Sequence, residues 1–128
     1  MAGKLLAGQR ALVTGASTGI GRAIACAFAD AGAAVMVNYR SSQEEAERVV
    51  ADITQRGGKA FAVQADVSKP EDCGKLFGTL EQKLGGVDIV VANAGVQRDA
   101  AFTEMTLQDW HTVIEVNLTG QFICAQEA

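Results

Sequence analysis

The 128-residue sequence predicts an α/β fold: a parallel sheet covered on both faces by helices. Three observations lead there. Short apolar runs alternate along the chain with longer stretches at helical spacing. The runs are nearly continuous instead of alternating with polar residues, as in strands buried on both faces. Glycine, serine and threonine stand at most junctions, where helices start and stop.

The elements follow in order. "RALVTG" (10–15) reads as a β-rich run that stops at glycine, and "GRAIACAFADAG" (21–32) as a helix carrying Ile24, Phe28 and Ala31, closed by Gly32. "AVMVNY" (34–39) is a second strand. "SSQEEAERVVADITQRGG" (41–58) opens with Ser and Glu suited to a helix N-terminus and closes on Gly57-Gly58. "KAFAVQAD" (59–66) is a third strand. In "SKPEDCGKLFGTLEQKLGG" (68–86), Ser68 before Pro70, with acids following, suits an N-cap and first turn. "VDIVVANAG" (87–95) is a fourth strand, and "TLQDWHTVIEVNLTGQFICAQEA" (106–128) a long last helix with Thr106 as N-cap. No repeat, linker or low-complexity tract interrupts the pattern, and the length fits one domain over residues 1–128.

Composition narrows the function classes. With 48% hydrophobic and 20% charged residues, the chain is foldable and not disordered. A net charge of −4, with basic residues scattered singly, argues against nucleic-acid binding. Cys26, Cys73 and Cys124 are odd in number, far apart in sequence and each in an expected helix, with no CxxC pair. Neutral thiols in a reducing cytoplasm are expected, not a disulfide framework or zinc site. His111 has no ligand-type neighbour, so no metal is expected. "MAGKLLAGQR" is too short in its apolar part for a signal segment, and no run approaches the ~18 apolar residues of a membrane span. A soluble cytoplasmic protein without membrane contact is the expectation.

The candidate site lies where the first strand enters the first helix, Thr14-Gly15-Ala16-Ser17-Thr18-Gly19-Ile20-Gly21. A bound pyrophosphate must approach backbone N–H groups closely, and any Cβ in the way blocks it. The helix N-terminus adds partial positive charge and unsatisfied donors. Gly15 then serves the tight turn, Gly19 the close approach and Gly21 the packing of helix on strand. The spacing is G-x3-G-x-G, not the generic G-x-G-x-x-G, and by itself it also suits a turn that binds nothing.

"TGASTGIG" (14–21) resembles the cofactor loop TGxxxGxG of the short-chain dehydrogenase/reductase family, and three further motifs follow in the family's order. "ADV" (65–67) ends the third strand, "ANAG" (92–95) resembles the family's NNAG, and Asn117 in "VNLTG" matches the family's helical asparagine. The resemblance implies a Rossmann-like doubly wound sheet of order 3-2-1-4. Strands one and four then meet at the switch point, where ligands bind outside the C-terminal strand ends. It further implies cofactor contacts from Gly15, Ser17, Thr18, Gly19, Ile20 and Gly21, from Asp66 and Val67 beside the adenine, and from Asn93, Ala94 and Gly95. Asp66 could instead only cap the turn into "SKPED", and Asn93 could serve only a left-handed turn.

Sites for NAD usually carry an acid about 20 residues beyond the glycines, accepting from the ribose 2′-OH. Here the second strand runs into Asn38, Tyr39, Arg40 and Ser41, with no acid. Arg40 suits a 2′-phosphate, which a carboxylate would repel. NADP is the expected cofactor, with NAD as the second choice, unless Arg40 is only a solvated loop charge.

The family's chemistry is hydride transfer between nicotinamide and an alcohol or carbonyl carbon, with a tetrad of Asn, Ser and Tyr-x-x-x-Lys. Tyrosine is the acid/base, and asparagine holds a water of the proton relay. Only Asn117 has a matching position; the one tyrosine is Tyr39, and no Tyr-x-x-x-Lys occurs. The sequence is about half the family's usual length, which leaves the fourth strand with an open apolar edge before any fifth. The expectation is therefore the cofactor-binding half of an oxidoreductase, completed by a longer chain or a complementing C-terminal chain. A truncated, non-catalytic dinucleotide-binding or interaction module is the alternative. "VNYRS", "GGKA" and "TEMTLQDWHTVIEVNLTGQF" look most like glucose 1-dehydrogenase-type members, with 3-oxoacyl-carrier-protein reductases next. In "VQRDAAFTEM" (96–105), Arg98 or Asp99 could touch substrate or face water. The resemblance also implies a homo-oligomer built on the last helix, where Trp110, Ile114 and Asn117 share a face; Trp110 could equally pack in the core.

Overall fold

The computed structural model describes residues 4–128. Four parallel strands, β1 (Arg10–Val13), β2 (Ala34–Tyr39), β3 (Lys59–Gln64) and β4 (Ile89–Val91), form one sheet in the order β3-β2-β1-β4. The connections are α1 (Gly19–Asp30), α2 (Gln43–Gln55) and α3 (Pro70–Leu84). This is the Rossmann-like arrangement and strand order expected from the sequence. No helix is long and apolar enough to cross a membrane among the described residues.

Because β1 and β2 are central, both of their faces are covered, and alternate residues feed two cores. Ala11, Val13, Val35 and Val37 pack with Ala25 and Ala29 of α1 and Val49 and Ile53 of α2. Leu12 and Met36 point the other way, onto Leu76 and Leu80 of α3. The continuous apolar runs thus reflect two buried faces. Leu76 and Leu80, both 1% exposed, contribute about 1.5–3 kcal/mol each by burial.

Each crossover is stopped by local chemistry. After α1, Gly32 takes φ +102° while the Gly32 and Ala33 amides donate back to the Ala29 and Phe28 carbonyls, both at 3.0 Å. β4 is set against β1 at its start by Asp88. The Asp88 carboxylate accepts from the Arg10 amide at 2.8 Å and from the Arg10 guanidinium at 2.9 and 3.1 Å.

Several boundaries differ from the sequence reading. α1 begins at Gly19, two residues before the expected start, and β4 is only three residues long. Ser68 does not cap α3; the N-cap is Lys69, without a side-chain bond, because the Ser68 hydroxyl donates to Asp66 Oδ1 at 2.6 Å. Thr106 does cap the last helix, accepting from the Asp109 amide at 3.1 Å while Asp109 returns a bond to the Thr106 amide. That helix is not uniform: α4 (Leu107–Ile114) and α5 (Gly120–Glu127) are joined by a π-helical turn, Glu115–Thr119. Val116, Ile123 and Cys124 pack from it onto Val67 and Cys73. Trp110 does not join a core; it is 56% exposed.

Candidate dinucleotide-binding cleft

A cleft of about 390 Å³ opens outside the C-terminal ends of the strands, at the switch point between β1 and β4. All the cofactor residues expected from the sequence line it except Gly19 and Gly21, which sit at the start of α1 beside it. Ser42, Ala65, Val96 and Val116 also line the cleft and were not anticipated.

Its floor is a knot between two chain segments. The buried Thr14 hydroxyl accepts from the Asn93 and Ala94 amides, both at 2.9 Å. The Asn93 side chain returns two bonds at 3.1 Å, to the Thr14 and Gly15 carbonyls. Asn93 is therefore a clamp on the glycine loop. The left-handed turn considered for it does not form, since no described non-glycine residue has positive φ. Sequence reasoning places Thr14 in the loop but gives it no role, because its partners lie 79 and 80 positions away.

Two glycines are required by this knot. A Cβ on Gly15, which has φ +59°, would stand 2.8 Å from the Ala94 Cα. A Cβ on Gly21 would stand 2.5 Å from the Asn93 side-chain nitrogen Nδ2 and closer still to the Gly15 carbonyl oxygen. Gly19 differs: it has φ +59°, but nothing lies within 4 Å of the place its Cβ would take. The space before it is open, at the mouth of α1.

The electrostatics favour an anion there. The Gly19, Ile20 and Gly21 amides have no acceptor among the described residues, and Thr18 offers no side-chain cap. α2, α3 and α4 all carry acids in the first turn, whereas α1 has none. The positive end of α1 is thus uncompensated by any acid in its own first turn.

The far wall is built by the ends of β2 and β3. Asn38 and Tyr39 are buried, whereas Arg40 and Ser41 are exposed on the rim. The Arg40 carbonyl is tied to Gln64 Nε2 at 2.9 Å. Asp66 lies two residues beyond β3, where its Oδ1 accepts from the Ser68 amide at 3.0 Å as well as from the hydroxyl. The turn-capping alternative for Asp66 is real, yet Oδ2 makes no hydrogen bond among the described residues and Asp66 still lines the cleft. Partial burial pushes the Asp66 carboxyl up. The Ser68 bonds and the charges of Arg40 and Lys69 outweigh that and hold it below the usual carboxylate range.

Asn117 does not line the cleft. From the π turn, its Oδ1 accepts from the Val96 amide at 2.8 Å and its Nδ2 donates to the Val96 carbonyl at 2.9 Å. It holds the segment after Gly95 as a neighbouring strand would. Arg98 and Asp99 are exposed.

Comparison with known proteins agrees with this geometry. The profile of the short chain dehydrogenase family matches residues 9–128. The chain is 47% identical over 121 residues to a 3-oxoacyl-[acyl-carrier-protein] reductase of Synechocystis, covering 94% of this chain and 49% of that protein. A reductase of the same name from Staphylococcus epidermidis is 44% identical over 119 residues, covering 93% and 49%. A short chain dehydrogenase from Burkholderia cenocepacia, solved in complex with NADP, superposes with a TM-score of 0.93 at 41% identity, over 96% of this chain and 50% of that one. The chain spans about half the length of the curated relatives it matches. With the ordered motifs, the switch-point cleft and the profile match in agreement, this chain belongs to the short-chain dehydrogenase family.

Proposed function

We propose that this chain binds NADP in the switch-point cleft, as the cofactor-binding part of an oxidoreductase. The observation that carries the reading is the mouth of α1: three amides without acceptors, no acid in the first turn and open space before Gly19. A pyrophosphate placed there meets N–H donors and the positive helix end. Arg40, exposed on the rim where NAD sites carry an acid, supplies a charge for a 2′-phosphate. Asp66 Oδ2 is the acceptor available to an adenine amino group.

When bound, the nicotinamide supplies or accepts a hydride at an alcohol or carbonyl carbon. This chain's residues bind, orient and support. Asn93 and Thr14 fix the glycine loop, and Asn117 is a positioning residue that fixes the wall at Gly95 and Val96. The side chain of Asn117 bonds both backbone groups of Val96 and keeps one N–H and one carbonyl lone pair for a water of the proton relay. Relatives named 3-oxoacyl-[acyl-carrier-protein] reductase support that substrate class about as well as the glucose 1-dehydrogenase-type one. Exposed Leu107, Trp110, Leu118 and Phe122 on the last helix support self-association or contact with further polypeptide.

The test is cofactor titration. NADP is expected to bind saturably, and Arg40→Ala to weaken NADP about tenfold, worth ~1.4 kcal/mol, while leaving NAD unchanged. Absence of saturable binding, or an equal loss for both cofactors, overturns the assignment.

A further inference from the structure

The end of β2 is the place where the dinucleotide fingerprint puts a residue that reads the ribose. Tyr39 closes β2 there; Asn38, one residue before it, is only 1% exposed, and its amide is engaged at both ends. Oδ1 accepts from the Gly15 amide at 3.2 Å. Nδ2 donates to the Ala65 carbonyl at 3.2 Å and the Val63 carbonyl at 3.3 Å, with the Tyr39 carbonyl at 3.4 Å. The Asn38 backbone carbonyl accepts from the Ala16 amide at 2.8 Å. An Asn side chain offers two N–H donors and one carbonyl, and all three are used here.

We infer that Asn38 is a positioning residue: its buried amide ties the glycine loop to the end of β3. The inference rests on the reading of the cleft as a dinucleotide site. One side chain bridges its two walls, Gly15 on the pyrophosphate side and Ala65, next to Asp66, on the adenine side. Asn38 thereby sets the distance between the two ends of the ligand. A carboxylate in the same place keeps the acceptor for Gly15 but turns its second oxygen onto the Val63 and Ala65 carbonyls. Three buried acceptors then face one another without a proton, and burial makes that costly.

Asn38→Asp separates this from the usual rule. If Asn38 faced the ribose, the acid would gain NAD at the expense of NADP. As a positioning residue, it weakens both about tenfold or more, ~1.4 kcal/mol for each tenfold, and leaves their ratio unchanged. The titrations are made where circular dichroism shows variant and wild type equally folded. A second readout needs no cofactor, and is made on variants that circular dichroism shows folded. In wild type, the Gly15 amide and the Asn38 side-chain hydrogens should exchange slowly with deuterated solvent, and Asn38→Ala should speed exchange at Gly15. Fast exchange of the Asn38 amide in wild type, unchanged Gly15 exchange in Asn38→Ala, or a gain of NAD by Asn38→Asp overturns the inference. Wild type that binds neither nucleotide refutes the cofactor reading instead, and the exchange rates still decide the role of Asn38.

Discussion

Replacing Gly21 by alanine tests the knot beneath the cleft. The new Cβ falls 2.5 Å from the Asn93 side-chain nitrogen Nδ2, and nearer still to the Gly15 carbonyl, which is backbone and cannot swing away. Asn93 must withdraw, giving up its bonds to the Thr14 and Gly15 carbonyls, about 1 kcal/mol each. Overpacking adds about 1–3 kcal/mol, and the better helix propensity of alanine returns up to about 1 kcal/mol. The net expectation is a loss of about 2–4 kcal/mol, a large part of the 5–15 kcal/mol typical of a domain. In urea, with m near ~2 kcal/mol/M, the midpoint falls by about 1–2 M. Gly74→Ala is the control: Gly74 is exposed within α3 and nothing lies within 4 Å of its Cβ position. It should raise the midpoint by about 0.5 M through propensity alone. A Gly21→Ala midpoint equal to wild type, or a Gly74→Ala loss as large, refutes the packing argument.

Gly19→Val should keep the fold, since its side chain enters open space and costs mainly the left-handed φ, roughly 1–2 kcal/mol. It should nevertheless abolish NADP binding in the titration, and retained affinity would remove the pyrophosphate from the mouth of α1. Iodoacetamide with peptide mapping should label half-buried Cys26 first. Cys73, whose thiol burial pushes up to about 12, and buried Cys124, also shifted up by burial, should be protected until unfolding; Cys73 reacting as fast as Cys26 would contradict the packing of α3 on α5. The Asp66 carboxyl is depressed below 3.8, so the unfolded chain takes its proton first as pH falls. Its stabilisation is therefore full above about pH 4–5 and is lost as pH falls through the folded value. Ser68→Ala should lower the melting temperature at neutral pH, and the gap to wild type should shrink below about pH 4. A gap unchanged at low pH would refute that coupling.

What could be read in the sequence was whatever is local or periodic. Leu12 between Val13 and Ala11 already signals a strand buried on both sides, and Thr106 with Asp109 signals its helix start directly. The glycine loop was legible because glycine spacing is a local demand. Ser68 was misread since the helix-end N–H groups and the Asp66 carboxylate both offer its hydroxyl a partner, and Asp66, two residues back, takes it. The role of Thr14 was invisible because it depends on Asn93, brought alongside only by the β1–β4 pairing. Asn38 was assigned to the ligand for its position, and only the neighbouring carbonyls of Val63 and Ala65 reveal where its amide is spent. The π turn that aims Asn117 at Val96 leaves no periodic trace, because one extra residue in a helix looks like ordinary sequence.

The placement of β1 between β2 and β4 also fixes an order of assembly during synthesis. The glycine loop leaves the ribosome early, yet Gly15 is secured by Asn38, 23 residues later, and Thr14 by Asn93 and Ala94, 79 and 80 residues later. A nascent chain that has completed β1, α1 and β2 holds the mouth of α1 without a floor. Such long-range parallel pairings form slowly, since loop closure must come before the contacts that reward it. The cleft is therefore finished only when β4 docks and Arg10 finds Asp88, 78 residues downstream. Capture of a nucleotide should accordingly begin abruptly at that point in elongation, and a nascent chain released before Asn93 should show none.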